Sequence, residues 1–144
     1  MRRARRQEGQ ALIEAALTIP LLLLIAVGIF EFGRAYQTWQ ILTNAAREGA
    51  RLAVVPSPGP GTVVARVRAY MQDGQLPKFG TAAVTVNSND SLTVNGRTIS
   101  ASRVTIDYPF DFIVLKPVAR LINGSTTLGN SLTMRATALM RNEM

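Results

Sequence analysis

The sequence predicts an α+β protein: a long amino-terminal helix that begins in a membrane, then a short helix, both packed on a small antiparallel β-sheet. Three observations predict it. Residues 15–30 carry no charge and follow a cluster of arginines. Apolar and small residues then recur at three- and four-residue steps as far as Ala53, with no strong breaker before Val55-Pro56. From Thr81 the period changes to two, and Asn95-Gly96 interrupts the alternation as a hairpin signal.

The first element is the most constrained. A helix needs roughly 20 mainly apolar residues to cross a bilayer core. Residues 11–30 provide that length with one charge, Glu14. Hydrocarbon offers no hydrogen-bond partner, so a single spanning segment has to be helical, and Pro20 is tolerable within it. Arg2, Arg3, Arg5 and Arg6 set the orientation, because basic residues are held on the cytoplasmic side. The chain beyond the span is then exported. Phe32, Tyr36 and Trp39 fall where an interfacial aromatic belt would lie. A cleaved secretory signal fits poorly: the apolar run is long, and Glu31-Phe32-Gly33-Arg34 follows it in place of an Ala-x-Ala site.

Glu14 is the odd residue. A carboxylate in a spanning helix costs about 2.5–3.5 kcal/mol at the bilayer centre and less near the interface. One reading makes it a helix-start acid held by the macrodipole. The other makes it a functional group, which is the default for an intramembrane charge.

The helix is expected to run over residues 10–54, the second half being amphipathic. Phe32, Tyr36, Trp39, Leu42, Ala46, Gly49 and Ala53 form its stripe and are read as helix-packing positions. Glu31 with Arg34, and Glu48 with Arg51, have pairing distance along the helix. Residues 56–61, Pro-Ser-Pro-Gly-Pro-Gly, break the helix. A short helix follows over residues 62–73, stopped by Gly74, and a loop over 75–80. Strand pattern then begins at Thr81, with a turn at Asn89-Asp90 and a hairpin across Asn95-Gly96. A further strand covers Arg103 to Tyr108 and is expected to end at Pro109. A helical turn is expected at Val118–Ile122, a loop at Gly124 to Gly129 and a last strand from Ser131 to Arg141, giving about four strands. The domain organisation is a basic leader at 1–9, the long helix at 10–54 with the span at 11–30, and an exported α+β domain at 55–144.

Composition excludes several functions. With no cysteine and no histidine, thiol, imidazole and the usual zinc chemistry are missing. Asp73, Asp90, Asp107 and Asp111 sit at expected turns and strand ends, without metal-loop spacing. The reading is therefore not an enzyme, with no cofactor and no metal. The formal charge of +7 is partly a leader effect, since four of the basic residues fall within the first six positions. The remaining ones are not interleaved with aromatics, so no nucleic-acid partner is expected.

Gly9, followed by Gln10-Ala11-Leu12-Ile13-Glu14, resembles the type IV prepilin signal: a basic leader, a glycine, and a glutamate at the fifth position after it. Gly9 through Arg34, then Thr43 through Arg51, resembles the TadE-like minor pilins (pseudopilins) of the tight-adherence, or Flp, pilus system. The ending ATALMRNE at 136–143 is similar to the way that family ends. The resemblance implies a type IV pilin-like helix and cleavage between Gly9 and Gln10 by a prepilin peptidase. It makes Glu14 the acid that registers one subunit on the amino terminus of the next. Implied partners are the peptidase, other pilin or pseudopilin subunits, the inner-membrane assembly platform and the lipid bilayer. Implied location is the inner membrane, single-pass, amino terminus inside, with incorporation into an extracellular adhesive pilus as a later stage. Ala15 stands where the major Flp pilins place tyrosine, a departure that bears on processing; the chain is also much longer than those pilins, and that length favours an accessory role. The alternative is an uncleaved, signal-anchored envelope protein, adhesin or secretion-complex subunit in which Gly9 and Glu14 are dispensable.

Overall fold

The computed structural model describes residues 2–55, 59–122 and 130–142, leaving aside the side chains of residues 2–8 and 119–122. The elements are α1 (Arg2–Ala53), α2 (Pro60–Asp73), a 3-10 turn (Phe79–Thr81), β1 (Ala83–Val94), β2 (Arg97–Phe110), α3 (Leu115–Ile122) and β3 (Leu132–Arg141). The sheet is antiparallel with order β1-β2-β3. The architecture is α+β, as the sequence pattern requires. The chain divides into two compact units. One combines the residues up to Arg34 with the segment that begins at Phe112; the other runs from Ala35 to Asp111 and resumes at Asn130.

The second unit holds the buried core. Leu42, Ala45, Ala46 and Ala50 of α1 are buried, with Val63, Val67 and Met71 of α2. The sheet contributes Ala101, Val104, Ile106, Tyr108 and Phe110 from β2, and Ala136 and Ala138 from β3. The small residues of α1 let the elements come close. A Cβ built on Gly49 would lie 2.5 Å from Val67 Cγ2 and 3.3 Å from Val104 Cγ1. Gly49 is thus where α1 meets α2 and β2 at once. Ser102, fully buried, directs its hydroxyl towards the Ala53 carbonyl at 3.2 Å and Asn142 Oδ1 at 2.7 Å. The Asn142 amide donates to the Ser88 carbonyl and to Ser100 Oγ. The carboxyl-terminal strand is therefore tied to β1 and β2 by side chains as well as by the ladder.

Local signals explain the element ends. Pro60 occupies the first turn of α2, where its missing N–H loses nothing. Gly74 closes that helix, its N–H reaching the Tyr70 carbonyl at 3.0 Å. Asn95 (φ 51°) and Gly96 (φ 74°) both adopt the left-handed conformation that a two-residue hairpin turn demands.

The strands depart from the expected pattern in three places. Asn89-Asp90 is not a turn; β1 passes through it with a shift of register between Asn87 and Asp90. The reason is local: Asn87 Oδ1 accepts the Asn89 N–H and Asp90 Oδ1 accepts the Ser91 N–H. Side chains satisfy donors that the bulge leaves unpaired, so no reversal is needed. With that turn gone, the described sheet has three long strands instead of about four shorter ones. Pro109 does not end β2 either, which continues to Phe110. Pro109 lies beyond the last β1 pairing, Ala83 opposite Asp107, and has only β3 beside it. A proline there takes no bond from a β1 neighbour. Finally, the expected helical turn at Val118–Ile122 is the latter part of α3, which starts at Leu115 and carries Pro117 in its first turn. Of the remaining expectations, residues 56–58 of the breaker cluster and the whole Gly124 to Gly129 loop lie outside the described residues, as does Glu143 of the ending.

Two predictions concern this unit. Gly49→Ala drives a methyl into the stiff Val67 side chain. Overpacking costs roughly 1–3 kcal/mol, against roughly 1 kcal/mol regained in helix propensity. Thermal unfolding of the full chain in detergent should fall by a few degrees. Val67→Ala should cost less in the Gly49→Ala background than alone, because it removes the clashing methyl.

The second concerns pH. Asp107 accepts from Arg135 Nε at 2.6 Å and Nη2 at 3.0 Å, across the β2–β3 pair. These bonds hold the Asp107 carboxyl below its ordinary value. Arg103 and the Ser91 N–H do the same to Asp90. A depressed folded value means that the stabilisation is present above the unfolded value, near pH 4, and is lost as pH falls through the folded one. Acid melting curves should therefore show Tm dropping below about pH 4, with a shallower drop in Asp107→Asn. An identical slope in that variant would mean that the pair contributes nothing.

Candidate membrane and processing segment

The segment that the sequence singles out lies in the first unit, in the amino-terminal part of α1. The helix is continuous through Gly9, Gln10, Glu14 and Pro20. From Leu12 to Phe30 nearly every large apolar side chain is exposed: Leu12 is 72% exposed, Leu17 73% and Ile29 69%. This is an apolar surface that the described residues leave largely uncovered. It is also the one described helix long and apolar enough to cross a membrane. An exposed surface of this size, on all sides of a helix, is unfavourable in water and matches hydrocarbon.

Gly9 has no heavy atom within 4 Å of the position its Cβ would take. Among the described residues no contact calls for a glycine there. Gln10 and Glu14 are exposed. The Glu14 carboxylate has no hydrogen-bond or ion-pair partner among the described residues, while its backbone carbonyl accepts from Thr18 Oγ1 at 2.7 Å. Arg2, Arg3, Arg5 and Arg6 belong to α1 by backbone; their side chains fall outside the description.

The helix-packing positions are distributed over two faces. Leu42, Ala46 and Gly49 are buried and Ala53 is half-buried. Phe32, Tyr36 and Trp39 are exposed. Tyr36 and Trp39 make a ring contact with centroids 6.4 Å apart, and Gln40 donates to the Tyr36 hydroxyl at 2.7 Å. At 3.6 residues per turn Trp39 lies about 60° and Tyr36 about 120° round the helix from Leu42. The buried face instead takes in Thr38 and the alanines. Glu48 accepts from Arg66 of α2, at 3.0 Å.

Glu31 has a place that sequence reasoning missed. It is only 3% exposed, directly after the apolar run. Its Oε2 accepts from Arg34 Nη1 at 2.8 Å, the pairing that the spacing suggests. Its Oε1 accepts the N–H of Val114 at 2.5 Å and of Leu115 at 3.3 Å. Glu31 therefore caps the start of α3, a segment more than eighty positions later in the chain. An anion at a helix start bonds free N–H groups and meets the positive end of the macrodipole. Nothing local in the sequence announces such a partner.

Comparison with known proteins bears on this same segment. Residues 9–51 match the model of a family described as TadE-like protein. The match begins at Gly9 and lies wholly within α1. No curated protein and no solved structure matches the chain.

The Glu31 cap gives a direct test. Hydrogen bonds to a charged group are worth about 1.5–3 kcal/mol. In Glu31→Ala, amide exchange at Val114 and Leu115 should accelerate by at least tenfold, on the order of that energy, while exchange in β2 stays as it was. Unchanged protection at both amides would remove Glu31 as the organiser of α3.

Proposed function

We propose that this chain is a minor pilin, or pseudopilin, that assists assembly of a tight-adherence (Flp, type IV-like) pilus. The observation that carries the reading is a coincidence of three features at one place. The TadE-like match starts at Gly9. An apolar stretch long enough to span a bilayer follows it in the same helix. Gly9 and Glu14 stand at the spacing of the prepilin signal. In this reading a prepilin peptidase cuts between Gly9 and Gln10 on the cytoplasmic face. The four leader arginines orient the span and then leave with the leader. The new amine on Gln10 faces a Glu14 carboxylate of a neighbouring subunit, and in a low-dielectric surrounding the two attract strongly. That pairing fixes how far one helix slides along the next. The neighbours are other pilin or pseudopilin subunits, gathered at an inner-membrane assembly platform. The α2 and sheet region is exported, and the chain does no catalysis.

The open fit around Gly9 supports a role in processing, because the fold itself accepts a Cβ there. The lack of a partner for Glu14 among the described residues supports a role between chains: a carboxylate at this depth is costly until it is paired.

The test is the intact mass of the chain purified from membranes of cells that carry the pilus system. Loss of residues 1–9 is expected. Gly9→Ala should keep the full-length mass without loss of folding. Glu14→Gln should mature but enter the pilus poorly. A full-length wild-type mass in the presence of active peptidase would favour the uncleaved, anchored alternative. Normal incorporation of Glu14→Gln would remove the registering role.

A further inference from the structure

The first unit contains an apolar groove of about 520 Å³, lined by Pro20, Leu21, Leu23, Leu24 and Val27 of α1 and by Val118 of α3. The lining is almost wholly carbon. Ile113, just before α3, is exposed over 59% of its surface. Glu31 holds the first N–H groups of α3 at the end of the apolar run. Val118 sits beside residues four to eleven positions back along α1 from Glu31. At 1.5 Å per residue that is about 6 to 16 Å along the helix axis. Amphipathic interfacial helices bury their apolar face about 5–10 Å into the boundary between headgroups and acyl chains, and the near end of this range matches. The sequence of α3, Leu-Lys-Pro-Val-Ala-Arg-Leu-Ile, carries Lys116 and Arg120 and no acid.

We infer that α3 is a second membrane element of the chain: it lies in the outer half of the bilayer beside the span, and the groove between them holds an acyl chain of an anionic phospholipid. The inference rests on the reading that residues 11–30 cross the membrane. Two observations choose lipid as the occupant. The groove is cut into the span itself, whose surroundings at that depth are hydrocarbon, so acyl chain is the matching filler. Lys116 puts a positive charge on α3 that complements the phosphates of the adjacent anionic headgroups. Glu31 sets the depth. It anchors the start of α3 at the membrane boundary, and its charge is matched by Arg34 and two backbone donors instead of facing the headgroups alone.

The absence of native cysteine makes the test clean. The full chain is reconstituted in vesicles of phosphatidylethanolamine and phosphatidylglycerol, with single thiols introduced as Val118→Cys, Ile113→Cys, Val27→Cys and Ser91→Cys, each carrying a small bimane label. Spin-labelled acyl chains quench from within the bilayer, iodide from water. Val118→Cys and Ile113→Cys should be quenched by the acyl-chain label to a degree comparable with Val27→Cys and several-fold more than Ser91→Cys on β1. Adding Lys116→Glu should lower that quenching at Val118, as should replacing the lipid with phosphatidylcholine alone; no change in either would overturn the assignment to anionic lipid. Iodide access at both α3 sites, with Val27→Cys protected, would overturn the inference and leave the span intact. Iodide access at Val27→Cys would overturn both. Protection of Val118→Cys from iodide without acyl-chain quenching would mean that a second copy covers the groove, and would also overturn it.

Discussion

A backbone amide in hydrocarbon has no partner but its own helix, and that constraint governs the chain. In the proposed span, residues 11–30, it imposes helix whatever the propensities, with leucine, isoleucine, valine and even Pro20 accepted. Because all sides meet the same medium, that stretch needs no polar face, and its large side chains are exposed all round. Past Phe30 the demand changes. The same helix continues, but now one side is buried against α2 and the sheet, and small residues replace bulky ones on it. Gly49 marks a tight approach, with valines of two other elements against the place a Cβ would take.

Polar groups do a different job in each unit. In the second, Ser102 and Asn142 bridge the end of α1, the register-shifted part of β1 and both other strands. In the first, a single carboxylate, Glu31, collects one guanidinium and two backbone donors. Both arrangements bury polar atoms only where each finds partners, which is the condition under which burial is tolerable. Surface pairs such as Asp107 with Arg135 sit on the open face of the sheet and matter mainly for its acid response.

Much of this was legible in the sequence because it depends on near neighbours. The apolar run, the period of two after Thr81, the stop at Gly74 and the turn at Asn95-Gly96 all follow from residues within a few positions of each other. The errors also have a common cause. Asn89-Asp90 has turn composition, yet its side chains serve donors on the spot and the strand runs on. Apart from those errors, Phe32, Tyr36 and Trp39 share the three-and-four pattern but are exposed, and the residues buried within the chain are the smaller ones beside them. The bond from Glu31 to α3 spans most of the chain, and no local pattern encodes it. Gly9 and Glu14 were recognised by spacing alone; the structure places both on the exposed helix without contacts that explain them.

The continuity of α1 through Gly9 has a kinetic consequence for the proposed cut. In a helix the carbonyl of each residue is engaged by the amide four places on, and the turn shields the bond from attack. The peptidase therefore meets a wound substrate, and a turn must open before the scissile bond can be presented. Glycine is roughly 1 kcal/mol worse than alanine inside a helix, so Gly9 weakens the turn that holds the bond to be broken. Maturation would then be timed by local melting at that turn, and a chain with a stiffer leader would keep its arginines longer even with the recognition residues intact.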